Sequence, residues 1–433
     1  MRGGILNSTH QYDRRAVLAW ATYDFANSAF SSLVLTFIFS TYFAKAIAPN
    51  EIAGTALWSR GLTISGLTVA LLSPFMGALA DRGGYRKTFL LILTAVAVIG
   101  TTVLYTVMPG QIMKALIWFI IANIGVEMGM VFYNAFLPDI APPQHIGRVS
   151  GYGWSFGYVG GLLAMLIAMI GLVQPDQPWF GFSKENGENI RATNLLVAAW
   201  CAVFSIPIFV WVREKKTASV ERIGELFAST WQQLKATAVE IRRYRQIVRL
   251  LIAHIFYNDA LLTIFSFGGI YAAGTFGFTF DEILIFGIVL NITAGLGAFA
   301  LGFLDDKIGG KRTIQITNIA FIFSTLLAVF APNKLLFWIA GIIVGTFSGP
   351  NQAASRSLMG RFVPPNKENE FFGLYAFSGK ATAFLGPLLL GILTETFQSQ
   401  RVGISVVAGF FVIGALILRL VDEEEGKKAG GRQ

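Results

Sequence analysis

The sequence predicts an all-α integral membrane protein with twelve transmembrane helices in two six-helix bundles and with both termini in the cytoplasm. Three observations lead to this fold class: the composition, the length of the apolar segments and an internal duplication. Of the 433 residues, 54% are hydrophobic and 14% are charged, and the mean hydropathy is +0.59. Soluble domains carry about 25% charged residues, so the composition excludes a water-soluble enzyme.

Segments long enough to cross a membrane recur along the chain. A helix needs about 20 residues to cross a hydrocarbon core of roughly 30 Å. The uncharged segments of that length are residues 88–108, 149–173, 192–212, 283–304 and 313–333. Less uniform segments bring the predicted helices to twelve, with centres near residues 28, 68, 98, 124, 161, 204, 262, 293, 323, 346, 383 and 409.

A polar turn near residue 80 occurs a second time, 225 residues further along the chain. The first copy contains Gly77, Asp81, Arg82, Gly84, Arg86 and Lys87. The second contains Gly302, Asp306, Lys307, Gly309, Lys311 and Arg312 in the same register. Each copy separates two apolar segments, so the chain is a duplication of one six-helix unit.

The duplication divides the chain into two bundles joined by a polar linker. We expect an N-terminal tail at residues 1–13, bundles at 14–213 and 247–421, a linker at 214–246 and a C-terminal tail at 422–433. Apolar residues at helical spacing in the linker predict an interfacial amphipathic helix, and a soluble linker helix is the alternative. These apolar residues are Val220, Ile223, Leu226, Phe227, Trp231 and Leu234.

The distribution of basic residues predicts the orientation, because cytoplasmic loops retain Lys and Arg. Most of the 34 Lys and Arg residues fall on one side if both termini are cytoplasmic. The net charge of +9 then comes from these cytoplasmic basic residues, which are attracted to anionic membrane lipid. It does not indicate a nucleic-acid partner. The polar start of the chain lacks a secretory signal, so we expect the first helix to be an uncleaved anchor.

Five charged residues lie at membrane depth, where an unpaired charge costs roughly 2.5 kcal/mol or more. Asp24, Asp259 and Lys380 each lie about ten residues into a helix, or roughly 15 Å from its end, and Glu127 and Arg356 lie in two further helices. We expect the acids to bind a cationic group or a coupling proton, Lys380 to bind an anionic group, and Arg356 to pair with an acid or act in a gate. The alternative is that these charges form fixed pairs that hold the halves together.

Polar residues beside these charges complete the predicted binding site: Tyr23, Asn27, Tyr257, Asn258 and Gln352. Pro350 and Pro387 are expected to interrupt the tenth and eleventh helices. His254 could titrate in the physiological range, and a packing role is the alternative. Three scattered histidines argue against a metal site, and no cofactor is expected.

Because of the duplicated turn, the chain is identified as a member of the major facilitator superfamily of secondary transporters. The resemblance implies that the turn joins helices two and three and, in its second copy, helices eight and nine. We interpret the turn residues as conformational, because glycine permits close helix approach and an aspartate at a helix end can accept backbone hydrogen bonds. The gating set is Gly77, Asp81, Arg82, Arg86, Gly302, Asp306, Lys307 and Lys311. The alternative is that these loops only set the topology.

Three segments resemble one branch of this superfamily, the yeast vacuolar amino-acid effluxers and their bacterial relatives. They are residues 20–28, residues 257–259, and the segment that contains residues 352–357 and 370–380, with Ala260 as a departure where a glycine would be expected. The resemblance implies efflux or exchange of a small polar metabolite, with an amino acid as the candidate, in a bacterial plasma membrane. We expect the protein to be a monomer. Coupling to a proton and facilitated diffusion both stay open.

Alternatives to this function are a transporter of drugs or sugars and a non-transporting membrane receptor. A primary pump is disfavoured because the sequence contains no phosphate-binding Gly-x-x-x-x-Gly-Lys-Ser/Thr motif. An ion channel would be indicated by a repeated pore loop, which the sequence does not contain. A membrane-embedded enzyme would be indicated by clustered histidines and acids or by an activated nucleophile.

Overall fold

The computed structural model describes residues 13–214, 223–239 and 243–431, and throughout these ranges the chain forms helices joined by short turns. The first half contains α1 (Arg14–Ala29), α2 (Phe39–Tyr42), α3 (Glu51–Gly83), α4 (Arg86–Leu104), α5 (Ile112–Ala135), α6 (Leu137–Ile140), α7 (Ile146–Ala168) and α8 (Glu188–Trp211). The linker contains α9 (Ile223–Val239). The second half contains α10 (Arg245–Phe276), α11 (Phe280–Ile308), α12 (Gly310–Phe330), α13 (Lys334–Phe362), α14 (Glu368–Lys380), α15 (Leu385–Phe397), α16 (Gln400–Arg419) and α17 (Glu423–Gly430).

Within the described ranges, 11 helical segments are long and apolar enough to cross a membrane. They match eleven of the predicted helices, so an all-α membrane protein is confirmed. The remaining predicted helix corresponds to α13, which has 29 residues but carries Arg356 and Arg361 among several amides and hydroxyls. The number twelve and the cytoplasmic placement of the termini stay predictions.

Local side-chain chemistry fixes where several helices begin. The Asp13 carboxylate accepts the backbone N–H groups of Arg15 and Ala16 at the start of α1. Asn50 and Asn333 do the same for α3 and α13, and Thr279 forms a capping box at the start of α11. Such caps satisfy N–H groups that have no partner inside the helix.

Both copies of the duplicated turn place a glycine at positive φ. Gly84 ends α3 at φ 63°, and Gly309 separates α11 from α12 at φ 91°. Residues other than glycine rarely adopt these positive angles, which explains the glycine at this point of each copy. Because the long helices alternate in direction, both turns and both described chain ends lie on one side of the bundle, here named the terminal side.

Helices from different halves pack directly against each other on the terminal side. α3 packs on α14, and α7 packs on both α11 and α13. Phe119 belongs to a buried apolar cluster within the first half, whereas the cluster that contains Phe321 of the second half also includes Val131 and Ala135 of α5. The halves are therefore two packed units with a common interface.

The eleventh predicted helix is interrupted, whereas the tenth is not. α14 ends at Lys380 and α15 begins at Leu385, with a turn between them. The interruption predicted at Pro350 is wrong, because α13 continues through this proline. Neighbouring helices enclose α13 and can compensate for one lost backbone hydrogen bond.

The linker and the C-terminal tail both contain a helix on the terminal side. α9 packs against α3, and its Trp231 is exposed. Val220 of the predicted amphipathic helix lies outside the described residues, so placement at the lipid interface stays a prediction. α17 packs on the end of α13, where a Cβ atom at Gly426 would collide with the ring of Phe362.

Candidate functional site

A buried ion pair joins the two halves at the middle of the bundle. Arg356 Nη1 on α13 lies 3.0 Å from Asp24 Oδ2 on α1, and the two side chains are 3% and 9% exposed. The Tyr133 hydroxyl donates to the same carboxylate oxygen at 2.7 Å. This pair brings together two of the predicted site residues.

Arg356 is satisfied by further partners, which makes a guanidinium group tolerable at membrane depth. It donates to the hydroxyl oxygen of Ser150 at 2.9 Å, to the carbonyl oxygen of the same residue at 2.6 Å and to Asn134 Oδ1 at 3.2 Å. Its guanidinium carbon lies 4.7 Å from the ring centroid of Trp20, within the range of a cation–π contact. Arg356, a residue of the second half, thus binds the first half at their common interface.

A second ion pair crosses the interface between α5 and α14. Lys380 Nζ lies 2.7 Å from Glu127 Oε1, and the side chains are 29% and 25% exposed. Lys380 is the last residue of α14, where the partial negative charge of a helix C-terminus favours a cation. This pair is the more accessible of the two, so it is the better placed to meet a solute.

Asp259 stands apart from both ion pairs. Its Oδ2 accepts the backbone N–H of Gly386 at 2.9 Å, in the first turn of α15. Among the described residues, Oδ1 has no hydrogen-bond partner, although Asp259 is only 2% exposed. The break between α14 and α15 therefore directs a half-helix N-terminus at a buried carboxyl group, a favourable electrostatic arrangement.

The predicted polar residues of the first half lie around Asp24. The Tyr23 hydroxyl is 2.9 Å from Thr94 Oγ1, and the Tyr23 ring stacks on Tyr133. Asn27 is half-buried, one turn further along α1 than Asp24. Tyr23 therefore supports the aromatic residues that enclose the ion pair.

The predicted polar residues of the second half face neighbouring helices. The Tyr257 hydroxyl is 2.8 Å from Ser355 Oγ, and Asn258 donates to the carbonyl oxygen of Gly379 at 3.1 Å. Gln352 on α13 contacts Tyr158 on α7, across the interface. His254 is buried against Ser378, in agreement with the packing alternative.

A cavity of about 440 Å³ lies between the halves on the side opposite the termini. Trp154 and Tyr158 of α7 are part of its lining, and the Trp154 ring also contacts the Arg356 guanidinium group. The predicted site residues do not include the residues that line this cavity, although the small residues Gly157 and Gly161 among them stand at helical spacing in the sequence. The cavity thus lies next to the buried ion pair, and both are part of the interface between the halves.

On the terminal side, Asp81 of the first duplicated turn binds the other half. It accepts the backbone N–H of Asn369 at 3.1 Å, the side-chain amide of the same residue at 2.6 Å and the N–H of Glu370 at 2.8 Å. A Cβ atom at Gly77 would collide with the carbonyl oxygen of Asn369. Glycine and aspartate together therefore allow α3 to lie directly against α14.

The basic residues of the first turn extend this contact. Arg86 Nη1 donates to Asp139 at 2.7 Å, and its Nη2 lies 3.4 Å from Glu368 of the second half. Arg82 donates to Gln233 of α9 at 2.8 Å, and Gln233 donates to Glu370 at 2.6 Å. The linker helix thus takes part in the closed interface.

The second turn makes an equivalent contact with α7. Asp306 accepts the backbone N–H groups of Gly147 and Arg148 at 2.9 and 3.3 Å and pairs with the Arg148 side chain. A Cβ atom at Gly302 would lie 3.1 Å from the Arg148 Cα. The adjacent Asp305 pairs with Arg361 at 2.7 Å, an acid that the duplicated pattern did not single out.

The turns are also fastened within each half. The Lys87 N–H donates to Glu214 after α8, and the Lys311 N–H donates to Glu423 in the tail, both at 3.0 Å. Lys87 Nζ donates to the carbonyl oxygen of Val212, directly after α8, and Lys311 Nζ donates to that of Arg419, the last residue of α16. Lys307 is exposed. Most of the predicted gating residues thus lie in or beside one closed layer.

Residues 46–431 match the model of the family described as "Vacuole effluxer Atg22 like". The uncharacterized MFS-type transporter YxiO of Bacillus subtilis is 29% identical over 420 residues, covering 96% of this chain and 96% of its own length. Autophagy-related protein 22 of Kluyveromyces lactis is 23% identical over 406 residues, covering 86% of this chain and 80% of its own length.

Solved structures give the same fold at low sequence identity. The transporter FucP in the outward conformation superposes with a TM-score of 0.74 at 13% identity, over 95% of this chain and 99% of its own. The proton:xylose symporter XylE superposes with a TM-score of 0.71 at 15% identity, over 96% of this chain and 98% of its own. Both are major facilitator superfamily proteins, so the resemblance identified from the duplicated turn is confirmed at the level of fold.

Proposed function

The chain belongs to the Atg22-like vacuole effluxer family of membrane transporters of the major facilitator type, and we propose that it exports a small polar metabolite by alternating access. The observation that carries the proposal is the position of the two cross-half ion pairs. They lie between a closed layer on the terminal side and a cavity on the opposite side. An alternating-access carrier requires a state that is closed on one side and open on the other, as here, and a second state in which the closed layer has opened.

The cargo is proposed to be a molecule that carries both charges, with an amino acid as the candidate. Lys380 and Glu127 present a cation and an anion 2.7 Å apart at the broken helix, and both are partly exposed. The carboxylate of such a cargo could bind Lys380 in place of Glu127, and its ammonium group could bind Glu127 in place of Lys380. Asp24 and Arg356 are more enclosed, so we assign them to the coupling between the halves.

The cavity itself favours a second candidate, an uncharged solute such as a sugar. The described residues of its lining are hydroxyl, aromatic, small and aliphatic side chains and the amide of Asn291, without Asp, Glu, Lys, Arg or His. Ser28, Ser31 and Thr325 supply hydroxyl groups there. The two candidates differ in whether Glu127 and Lys380 contact the cargo.

Asp259 is the proposed site of a coupling proton. Its Oδ1 has no partner among the described residues, so protonation there would break no existing hydrogen bond. Protonation would also remove a buried charge, which is costly in a low-dielectric interior. Coupling to a proton gradient would then act through the contact between Asp259 and Gly386.

We place the protein in a bacterial plasma membrane as a monomer with cytoplasmic termini. The basic turns and the linker would then face anionic lipid. Export would begin after the closed layer at Asp81 and Asp306 opens to the cytoplasm. The proposed cargo and coupling proton are small, and neither a cofactor nor a metal ion takes part.

Counterflow in proteoliposomes tests the proposed function. The purified protein is first screened by thermal shift against amino acids, peptides and sugars, and each stabilising compound is then assayed for exchange of its labelled form. Saturable exchange supports a carrier, whereas stabilisation without exchange supports a receptor. Lys380→Ala and Asp24→Asn are each expected to abolish exchange, and full activity of both would contradict the site assignment.

Lys114→Ala is the matched control for Lys380→Ala. Lys114 lies near the start of α5 and, within the part of the chain that the structure describes, donates to a backbone carbonyl oxygen, that of Thr106. Its replacement removes the same charge outside the site. Exchange of a zwitterion that requires Lys380 but not Lys114 would favour an amino-acid cargo. Exchange of a sugar that survives Lys380→Ala would favour the uncharged candidate.

A further inference from the structure

The connection between α7 and α8 presents an aromatic tip on the side opposite the termini. Trp179 and Phe180 lie in a 3-10 turn, Trp179–Gly181, and are 48% and 89% exposed. Phe182 follows this turn and contacts Tyr105 edge-on. Large aromatic side chains usually gain free energy by leaving water, so a tip of this kind indicates a partner surface.

The tip is held in place by a braced connection. The Ser183 N–H donates to Glu188 at 2.9 Å, the Tyr105 hydroxyl donates to the same carboxylate at 3.0 Å, and the Tyr42 hydroxyl donates to the carbonyl oxygen of Asn186 at 2.7 Å. Phe180 itself has φ 62°, a backbone conformation uncommon for a bulky residue. The surrounding contacts thus hold Phe180 outward at a fixed position.

The tip continues the apolar outer face of α7. Val159, Leu163, Leu166 and Ile170 are exposed at helical spacing along this membrane-spanning segment. The Trp179 ring lies against Gly171, the residue that follows this stripe, so closely that a Cβ atom there would collide with it. An apolar surface therefore runs from the middle of the membrane-spanning segment to the aromatic tip.

We infer that Trp179 and Phe180 insert into the lipid headgroup region of the leaflet on the side opposite the termini. Tryptophan is enriched at this level of membrane proteins because one part of its ring is apolar and its N–H can meet water. The neighbouring Asp176–Lys184 pair, 3.3 Å apart and largely exposed, remains in water. The partner surface is the lipid itself.

The lipid contact anchors one half of the protein. The tip is braced by Tyr42 and Tyr105, which belong to α2 and the end of α4. The corresponding connection in the second half, between α15 and α16, has only residues 398 and 399. The proposed anchor therefore lies in a connection that is much longer in the first half than in the second.

Fluorescence quenching tests this inference without a known cargo. Phe180→Cys and, as matched control in the same connection, Asp176→Cys are made in a Cys201→Ser background, since Cys201 is the single native cysteine. Each variant is labelled with an environment-sensitive dye and reconstituted in phosphatidylethanolamine–phosphatidylglycerol vesicles. Quenching by headgroup-nitroxide lipid is compared with quenching by aqueous iodide.

The dye at position 180 is expected to emit at shorter wavelength and to be quenched by the nitroxide lipid rather than by iodide, with the reverse at position 176. Equal iodide quenching at the two positions overturns the inference. Shielding of position 180 from both quenchers would indicate a protein partner and would also overturn it. If labelling at position 180 prevents folding, the dye is attached to Trp179→Cys instead, and its quenching is judged by the same criteria.

Discussion

Arg356 and Asp24 meet across the interface of the two halves, with 3.0 Å between Nη1 and Oδ2, although 332 residues separate them in the chain. Removing one partner of a buried ion pair costs about 3–5 kcal/mol, because the other charge loses its compensation. We expect Asp24→Asn to lower the melting temperature of the purified protein markedly and to abolish exchange. The melting temperature is followed by intrinsic fluorescence.

The double variant Asp24→Asn/Arg356→Gln is the control for this prediction. It removes both charges, so we expect it to melt at a higher temperature than Asp24→Asn alone while exchange stays absent. Equal melting of the wild type and Asp24→Asn would show that the pair does not stabilise this state.

The Lys380–Glu127 pair should behave differently because it is partly exposed. Ion pairs in contact with solvent contribute about 0–1 kcal/mol, so Lys380→Gln should change the melting temperature little. If the cargo binds between these charges, the same variant should lose exchange or show a strongly raised KM in counterflow. A variant with lowered melting temperature and normal KM would assign the pair a structural role.

The sequence predicted the depth of these charges but not their partners. Counting residues from a helix end gives depth, because the rise per residue is constant. It does not give the rotation of each helix or which helix lies opposite. Asp24, Glu127, Arg356 and Lys380 were therefore identified together, whereas their assignment to two particular pairs required the structure, which places α13 opposite α1 at one pair and α14 opposite α5 at the other.

The duplicated turn was the part of the site most accessible to sequence reasoning. Its glycines and aspartates serve local needs, a positive φ at Gly84 and Gly309 and acceptance of N–H groups by Asp81 and Asp306. The residues that line the cavity could not be predicted, because hydroxyl and aromatic residues are common in packed membrane helices. Nor did the charged sequence of the tail indicate that α17 packs against Phe362.

Gly77 should determine whether the terminal side can close. A side chain at this position would collide with the carbonyl oxygen of Asn369, so we expect Gly77→Val to favour the state open on the terminal side. Spin labels on the exposed residues Arg213 and Arg419, one in each half, should move apart in a pulsed electron paramagnetic resonance experiment.

Gly66→Val is the matched control for Gly77→Val. Gly66 lies on the same helix, and a Cβ atom there has no neighbour within 4 Å among the atoms described. Its replacement should leave the distance distribution of the two labels unchanged. If the label distances had the same distribution in Gly77→Val and Gly66→Val, the role of Gly77 in closure would be contradicted.

The docking of α17 should depend on pH only in the acid range. Glu425 accepts hydrogen bonds from Arg245 and Gln246, both at 2.7 Å, and the bond from Arg245 lowers the pKa of Glu425 below its ordinary value. The contribution to docking is therefore complete above the ordinary glutamate pKa of about 4.3 and is lost as the pH falls through the lowered value. The mobility of a spin label at Lys428 should rise only at a pH below this ordinary value.

Glu425→Gln should remove the part of that pH dependence that comes from Glu425, because the amide does not titrate. Glu424 is the matched control: its pKa is lowered by Lys427 of the same helix, so Glu424→Gln should leave the transition of the docked tail in place. A mobility change near neutral pH in the wild type would contradict the assignment to Glu425.

Gln233 should hold the linker helix to the closed layer from both sides. Its side chain accepts from Arg82 of the first half at 2.8 Å and donates to Glu370 of the second half at 2.6 Å. Hydrogen bonds to charged groups contribute about 1.5–3 kcal/mol each, and opening of the layer would separate these two partners. Gln233→Ala should therefore shift the label distances between Arg213 and Arg419 toward the open state, whereas Gln232→Ala, one residue earlier and exposed, should not. If the two variants shift the distances alike, the linker contributes by tethering the halves and not through this bridge.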